Sequence, residues 1–173
     1  GQWTVTGMTF TRRFALLAGA ATLAGCAQKS KFRSYYGPEV TRVIVNKGER
    51  EMFLLHHRKV LKRYKVELGF APEGHKQFEG DGRTPEGKYL IDRRNPNSSF
   101  HLSLGISYPN EADIAFAKAL GKSPGGDIFI HGEPNALAFL SPDWTAGCIS
   151  VTNREMEDVY AMIRNGTPIT LNA

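Results

Sequence analysis

The chain has 173 residues, a length typical of one domain, and its 41% apolar and 23% charged residues suit a normal hydrophobic core. The formal net charge is +5, and the Lys and Arg residues are dispersed rather than gathered along one stretch. This composition argues against nucleic-acid binding and against wholesale disorder. We therefore expect one globular domain.

Residues 1–25 have the pattern of an export signal. Residues 1–7 lack hydrophobic periodicity and resemble a non-native extension, and Met8 is a natural start. Arg12 and Arg13 then precede an apolar run, 14–24, that is too short to anchor stably across a bilayer. The paired arginines leave open whether export follows the general or the twin-arginine route.

The segment ends in Leu23-Ala24-Gly25-Cys26, which is similar to the lipobox of bacterial lipoproteins. The resemblance implies that Cys26 is acylated and attaches the mature protein to a membrane. Ala27 in the next position favours the outer membrane, with the domain in the periplasm. Residues 26–40 are polar and without a clear period, which predicts a tether.

The chain has two cysteines, and a disulfide between them is one interpretation for an exported protein. Acylation of Cys26 would instead leave Cys148 as a lone thiol.

From residue 41 to residue 173, short apolar runs alternate with turn signals, as in a strand-rich domain. We see no internal repeat and no sustained alternation of strands with helices, which argues against a doubly wound parallel sheet. The fold class predicted is mostly β with a few helices. The predicted strands are Val43–Val45, Met52–Leu55, Lys59–Leu68, Lys88–Asp92, His101–Tyr108 and Asp127–His131.

Two helices are predicted from capping residues and apolar spacing. The first runs from Asn110 to Leu120, with apolar residues at 112, 116 and 120 on one face. The second begins at Thr152, whose hydroxyl pairs with Glu155 in a capping box, and ends at Gly166. Its core-facing residues are Met156, Val159, Tyr160 and Ile163.

His131 ends an apolar strand, and Cys148 follows it by 17 residues, directly after Gly147. A cysteine nucleophile needs a neighbouring base, and glycine lets backbone N–H groups approach a developing oxyanion. The alternative is structural, since a lone histidine is often a hydrogen-bonded core residue and a lone cysteine a small apolar one. The five histidines show no His-Glu-x-x-His spacing, so no metal site is predicted.

His131-Gly132 and the block Thr145-Ala146-Gly147-Cys148 resemble the signature of the YkuD-type L,D-transpeptidases, bacterial enzymes that remodel peptidoglycan. The segments 83–89 (RTPEGKY), 94–97 and 102–106 are similar to further parts of that family. The resemblance covers 41–173 and implies a β-sandwich-like catalytic domain.

The resemblance implies that Cys148 is the nucleophile, His131 the base and the Gly132 carbonyl its orienting group. It also implies a thioester formed with peptidoglycan stem peptides, without a metal or organic cofactor. The expected oxyanion and substrate-binding residues are Trp144, Thr145, Ala146, Gly147 and Arg154. Trp144 has a second interpretation as a packing residue under the loop.

The sequence departs from the family pattern at two positions. Ala146 stands where the family usually has histidine, and Ser150 where it usually has arginine. Arg154 or Arg83 would have to replace that arginine in binding a donor carboxylate.

These departures leave the acceptor of the acyl group open. An amine acceptor gives a cross-linking transpeptidase. Water gives a carboxypeptidase or an amidase, including one that releases a wall-linked lipoprotein. A third alternative is a catalytically silent lipoprotein that binds the cell wall.

Overall fold

The computed structural model describes residues 29–136 and 140–173, so the proposed export signal and Cys26 lie outside the described residues. Eight strands and two helices make up this part of the chain. The strands are β1 (Arg42–Asn46), β2 (Glu51–His56), β3 (Lys59–Lys65), β4 (Gly87–Asn95), β5 (Ser103–Ile106), β6 (Phe129–His131), β7 (Ile149–Ser150) and β8 (Pro168–Asn172). The helices are α1 (Glu111–Ala119) and α2 (Asn153–Met162).

All eight strands form one sheet, in the order β3-β2-β1-β8-β4-β5-β6-β7. β8 is parallel to β1 and antiparallel to β4, and β6 is parallel to β7, while the other neighbours are antiparallel. Mostly antiparallel pairing with two helices confirms the predicted fold class.

The sheet curls until its two ends meet. The chain after β3 pairs with the loop before β7 and with β7 itself, through isolated bridges from Gly69 to Thr145 and from Glu67 to Ser150. Because these bridges flank Cys148, the curl holds the segment of the predicted nucleophile between two parts of the same sheet.

Both helices begin where the sequence predicts. Asn110 caps α1, Thr152 caps α2, and each forms a reciprocal capping box. In α2 the predicted apolar face is confirmed, with Met156 and Val159 fully buried. The helix ends at Met162, several residues before Gly166, because Ile163 already has an extended backbone.

The predicted apolar face of α1, residues 112, 116 and 120, does not point to the core. Phe116 and Leu120 are about half exposed, at 49% and 48%, whereas Asp113 and Ala117 are buried. The Asp113 carboxylate turns inwards because it accepts hydrogen bonds from Tyr89 Oη at 2.6 Å and from His75 Nε2 at 2.8 Å. A buried polar network thus outweighs apolar spacing in orienting this helix.

Two strands were absent from the sequence prediction. β7 has only two residues, too few to show a period. β8 carries alternating buried residues, Ile169 and Leu171, but begins at Pro168. The predicted half-buried strand at 101–108 shortens to β5, and all of its residues are buried.

Residues 29–40 contain no helix or strand, but they lie against the domain. Lys31 Nζ donates to the carbonyls of Pro96 and His101 at 2.8 and 3.0 Å, and the Phe32 ring packs against Tyr160 of α2. The start of the described chain is therefore fixed beside the loop between β4 and β5. Among the described residues, neither helix has the length and apolar character needed to cross a membrane.

Candidate active site

The parallel pairing of β6 with β7 brings His131 and Cys148 to the same place. Ile130 pairs with Ile149 and His131 with Ser150, so Cys148 stands one position ahead of the paired residues. Both side chains line a pocket of about 280 Å³. Its other lining residues are Asn95, Ser98, Ser99, Phe100, Ser103, Asp127 and Phe129.

The tautomer of His131 follows from its hydrogen bond. Nδ1 lies 2.7 Å from the Gly132 carbonyl oxygen, which can only accept, so Nδ1 carries the hydrogen and Nε2 keeps its lone pair. The side chain is buried, and this burial lowers its pKa below the ordinary value of 6.5, although the hydrogen bond to Gly132 opposes the shift. His131 is therefore a neutral imidazole able to accept a proton at neutral pH.

Ser150 fixes the carbonyl that orients the base. Its hydroxyl donates to Gly132 O at 3.2 Å, and the side chain is buried. The Gly132 N–H in turn donates to Phe100 O at 2.9 Å, and Val151 N–H donates to His131 O at 3.0 Å. Ser150, which stands in place of the family's arginine, thus supports the base. It lines the neighbouring cavity of about 340 Å³ and not the pocket of Cys148 and His131.

Phe100 is a residue of this site that the sequence did not reveal. Its ring stacks on the His131 imidazole, with centroids 4.3 Å apart and planes at 20°. The Trp144 ring also contacts both partners, at 5.7 Å from Phe100 and 5.6 Å from His131. Phe100 lies in a turn and belongs to no periodic pattern, so only the folded chain brings it to the base.

Cys148 rests as a thiol in this structure. Sγ donates to Asp127 O at 3.3 Å and accepts the N–H of Phe129 at 3.4 Å. Burial raises the thiol pKa above its ordinary value of 9.0, and the Phe129 N–H opposes this only in part. Within the described residues no hydrogen bond joins Sγ to His131. The two groups are both neutral, and attack requires transfer of the thiol proton to Nε2.

The loop around Cys148 is shaped by Thr145. Its buried hydroxyl donates to Cys148 O at 2.6 Å and accepts the Gly147 N–H at 3.2 Å. The Gly147 N–H, an expected oxyanion donor, is therefore engaged inside the loop. The Cys148 N–H makes no hydrogen bond to any described residue, which leaves it available to an oxyanion.

Gly147 is required at its position for steric reasons. Its φ of 138° lies in the region that favours glycine, and a Cβ there would approach Arg83 O to 2.7 Å. The glycine before the nucleophile thus serves the close approach of two backbone segments.

The remaining predicted site residues, Ala146, Arg154 and Trp144, do not line this pocket. Ala146 is exposed, and Arg154 is exposed on α2 and lines neither this pocket nor its neighbour. Trp144 lines the neighbouring cavity of about 340 Å³, so it forms a wall between that cavity and His131. The structure therefore does not bring Arg154 to the position of the missing arginine.

Residues 67–70, which follow β3, hold the Cys148 loop through four backbone hydrogen bonds. Glu67 exchanges two with Ser150, at 2.9 and 2.8 Å, and Thr145 bonds to Leu68 O and to Phe70 N–H at 3.1 and 2.9 Å. An ion pair between Arg50 and Asp143, 2.8 Å apart, secures the start of the loop. The nucleophile is thus attached to the core on both of its sides.

No three His, Cys, Asp or Glu side chains within 29–136 and 140–173 are grouped so as to hold a metal ion.

A buried histidine base and a cysteine in one pocket, carried on a curled β-sheet, define a candidate thiol-dependent catalytic domain. The chain belongs to the YkuD family of L,D-transpeptidase catalytic domains, whose sequence profile matches residues 40–171.

Three relatives illustrate this likeness. Over 106 residues the chain is 27% identical to the Escherichia coli K12 protein named Putative L,D-transpeptidase YafK, a match that covers 60% of this chain and 37% of YafK. The helical cell shape determining protein Pgp2 of Campylobacter jejuni is 27% identical with a TM-score of 0.61 over 83% of this chain and 51% of Pgp2. An L,D-transpeptidase from Mycobacterium smegmatis, 13% identical with a TM-score of 0.51 over 78% of this chain and 59% of that one, shares the fold.

The chain thus spans about a third of YafK and about half of Pgp2.

Proposed function

We propose that this chain is an L,D-transpeptidase that acts on peptidoglycan stem peptides through a thioester on Cys148. The observation that carries the proposal is the shared pocket of Cys148 and His131, in which Nδ1 of the base is committed to Gly132 O. That hydrogen bond leaves Nε2 as the atom that accepts a proton. Family membership supplies the reaction class.

In the proposed reaction the thiol proton passes to Nε2 of His131 as Sγ attacks the carbonyl carbon of an L-centre, in diaminopimelate-type stems that of meso-diaminopimelate. The Cys148 N–H donates to the resulting oxyanion. Collapse of the tetrahedral intermediate expels the amine of the terminal D-residue, which takes the proton from His131. The product is a thioester between the donor stem and Cys148.

A side-chain amine of a second stem then attacks the thioester carbonyl and gives up its proton to His131. The amide bond that forms is the cross-link, and the C–S bond breaks to restore the thiol as the proton returns to sulfur. No step requires a metal or a redox partner.

Water as the acceptor is the second candidate function, which gives a carboxypeptidase or an amidase able to release a wall-linked lipoprotein. The observation that favours it is Ala146, an exposed residue with no polar side chain next to the nucleophile loop. An amine acceptor would find no side-chain partner at this position.

Purified sacculi incubated with the full chain, followed by mass spectrometry of the muropeptides, separate these functions. New cross-linked dimers support transfer, whereas shortened stems or released lipoprotein support hydrolysis. Cys148→Ala is the matched control and should abolish both changes. Sacculus binding by both forms with an unchanged muropeptide profile would instead identify a silent wall-binding protein.

A carbapenem gives an independent probe of the nucleophile. Attack of Sγ on the lactam carbonyl opens the ring and leaves an acyl adduct, which an intact-mass measurement detects. We expect one adduct per wild-type chain, located at Cys148 by peptide mapping, and none on Cys148→Ala. An unmodified wild-type mass would argue against an active thiol.

We also propose that the protein is exported and attached to the outer membrane through lipidated Cys26, on the strength of the lipobox-like sequence 23–26. Labelled palmitate should enter the wild-type protein and not Cys26→Ser in the producing cells. Equal labelling of both proteins would overturn this attachment.

A further inference from the structure

One face of the sheet leads from β4 across β5 and β6 to the nucleophile. Arg93 pairs with Gly105, and Gly105 pairs with Phe129. In the next row Asn95 pairs with Ser103, and Ser103 with His131. Since alternate residues share a face, both rows belong to the surface that lines the pocket. Arg93 therefore stands at the β4 end of the row that includes Phe129.

Phe129 links Arg93 to the nucleophile. Its backbone N–H donates to Cys148 Sγ at 3.4 Å, while its ring lies under the Arg93 guanidinium, 4.9 Å from ring centroid to Cζ. The cation is thus placed over a residue that lines the pocket and touches the reactive sulfur.

Gly105 provides the space in which the guanidinium group lies. A Cβ at this position would come within 2.5 Å of Arg93 Nε and 2.9 Å of Arg93 Cβ. Glycine in a strand interior weakens the strand and often marks close approach by another group. Here that group is the Arg93 side chain, which crosses β5 to reach Phe129.

The Arg93 guanidinium is held in place by hydrogen bonds that leave some of its N–H groups free. Nη2 donates to Ile106 O at 3.0 Å, and Nε donates to Asp92 at 2.9 Å. Nη1 stands 3.9 Å from a carboxylate oxygen of Asp127, whose side chain is 91% exposed. A solvated carboxylate at this distance is easily exchanged for one of a ligand.

Among the described residues that line the pocket of Cys148 and His131 there is no lysine or arginine. The family's usual arginine position holds the buried Ser150, and Arg154 faces solvent on α2. In the described part of the chain, Arg93 is the cation that directly contacts two residues of the pocket lining, Phe129 and Asp127.

We propose that Arg93 binds a carboxylate of the donor stem peptide, next to the scissile carbonyl. The inference rests on the proposed function. A planar guanidinium with free N–H groups suits a carboxylate, and the apolar ring beneath it limits hydration of the ion pair. The carboxylate belongs either to the leaving D-residue or to the side-chain end of diaminopimelate, and both present the same chemistry to Arg93.

The test compares donor peptides that lack one carboxylate at a time. One has a C-terminal amide on the leaving residue, and another has lysine in place of diaminopimelate. We expect Arg93→Gln to raise KM for the full donor about tenfold, with kcat changed less than twofold. On the peptide that lacks the carboxylate bound by Arg93, the wild type and Arg93→Gln should have the same KM. This result identifies which of the two carboxylates Arg93 binds.

Two matched variants accompany this measurement. Arg94→Gln changes the adjacent arginine, which packs over Tyr160 and donates to Ile163 O on the other face of β4, so the donor KM should not change. Gly105→Ala displaces Arg93 and should reproduce the KM increase in a protein that remains folded by circular dichroism. An equal loss by Arg93→Gln on all donors, or no loss on any, would overturn the inference.

A binding measurement separates this inference from the proposed function. Calorimetry with Cys148→Ala measures donor affinity without turnover. If Cys148→Ala binds no stem peptide at all, the proposed function fails. If Cys148→Ala and Cys148→Ala/Arg93→Gln bind the donor equally well, the proposed function stands and the role of Arg93 is overturned.

Discussion

The imidazole of His131 lies flat against the ring of Phe100, with centroids 4.3 Å apart. The Phe100 carbonyl also accepts the N–H of Gly132, whose own carbonyl holds Nδ1 of the base. One residue outside the sequence signature thus excludes water from the base and fixes the peptide that selects its tautomer. Phe100 is a positioning residue for His131.

Replacing Phe100 should change the pH dependence of activity. In Phe100→Ala one face of the imidazole becomes hydrated, so the His131 pKa rises toward its ordinary value of 6.5. A base must be neutral to act, and a higher pKa means that it becomes protonated at a higher pH. The acid limb of kcat/KM should therefore move to higher pH.

Phe116→Ala is the matched control for this shift, because Phe116 is half exposed on α1. Its pH profile should coincide with that of the wild type. A Phe100→Ala profile with lower activity but an unmoved acid limb would show that the stack supports packing alone.

The thiol of Cys148 should react slowly with alkylating agents at neutral pH. Burial raises its pKa above 9.0, and the thiolate is the reactive form. The rate of iodoacetamide modification, followed at Cys148 by peptide mapping, should rise with pH and reach its midpoint above pH 9. His131→Ala should follow nearly the same curve, because both groups are neutral at rest. A midpoint below pH 7 that is lost in His131→Ala would instead indicate a resting ion pair.

Ser150→Ala should weaken catalysis while leaving the fold intact. The change removes the hydroxyl that donates to Gly132 O, a bond that contributes about 1 kcal/mol, so kcat should fall about fivefold if the bond is fully used in the transition state. KM should change little, since Ser150 is buried beneath the site. Steady-state kinetics on a stem peptide measure both quantities, and a change confined to KM would indicate substrate contact.

Ser150→Arg restores the residue usual in the family and should nevertheless unfold the site. The side chain at 150 is buried and paired with Gly132, so an arginine there would place a charge in the core at a cost of about 3–5 kcal/mol. We expect a fall in the thermal midpoint far larger than that of Ser150→Ala. A variant as stable as the wild type would show that this position can open to the pocket.

Gly69→Ala should destabilise the whole domain. A Cβ at Gly69 would come within 2.1 Å of Gly82 O and 3.0 Å of Gly147 Cα, and backbone atoms cannot move aside as side chains do. We expect a loss of about 2–3 kcal/mol in urea unfolding. Gly48→Ala is the control, because the nearest atom to its added Cβ is 3.8 Å away, and its unfolding midpoint should be close to that of the wild type.

The sequence predicted the features that depend on local chemistry. Asn110 caps α1 as expected, and the predicted capping box of Thr152 and Glu155 forms within four residues. The glycines at 132 and 147 lie next to the predicted base and nucleophile. The side chains of that base and nucleophile, His131 and Cys148, line one pocket.

Features that depend on strand register could not be predicted in this way. Phe100, Ser150 and Arg93 acquire their places only because distant strands pair with a particular alignment. Arg154 was one of two arginines expected to replace the family's arginine, yet α2 directs it to solvent. Thr145 and Gly147, expected to face a substrate, instead bond to each other within the loop.

β8 has a consequence for the order in which the domain is completed. It is the last of the described strands, yet it lies at the middle of the sheet, between the hairpin strands on one side and the strands of the pocket on the other. Neither half can acquire its central neighbour until residues 168–172 have been synthesised. A chain stalled before this point would present two unpaired strand edges, those of β1 and β4, and would be prone to association through them.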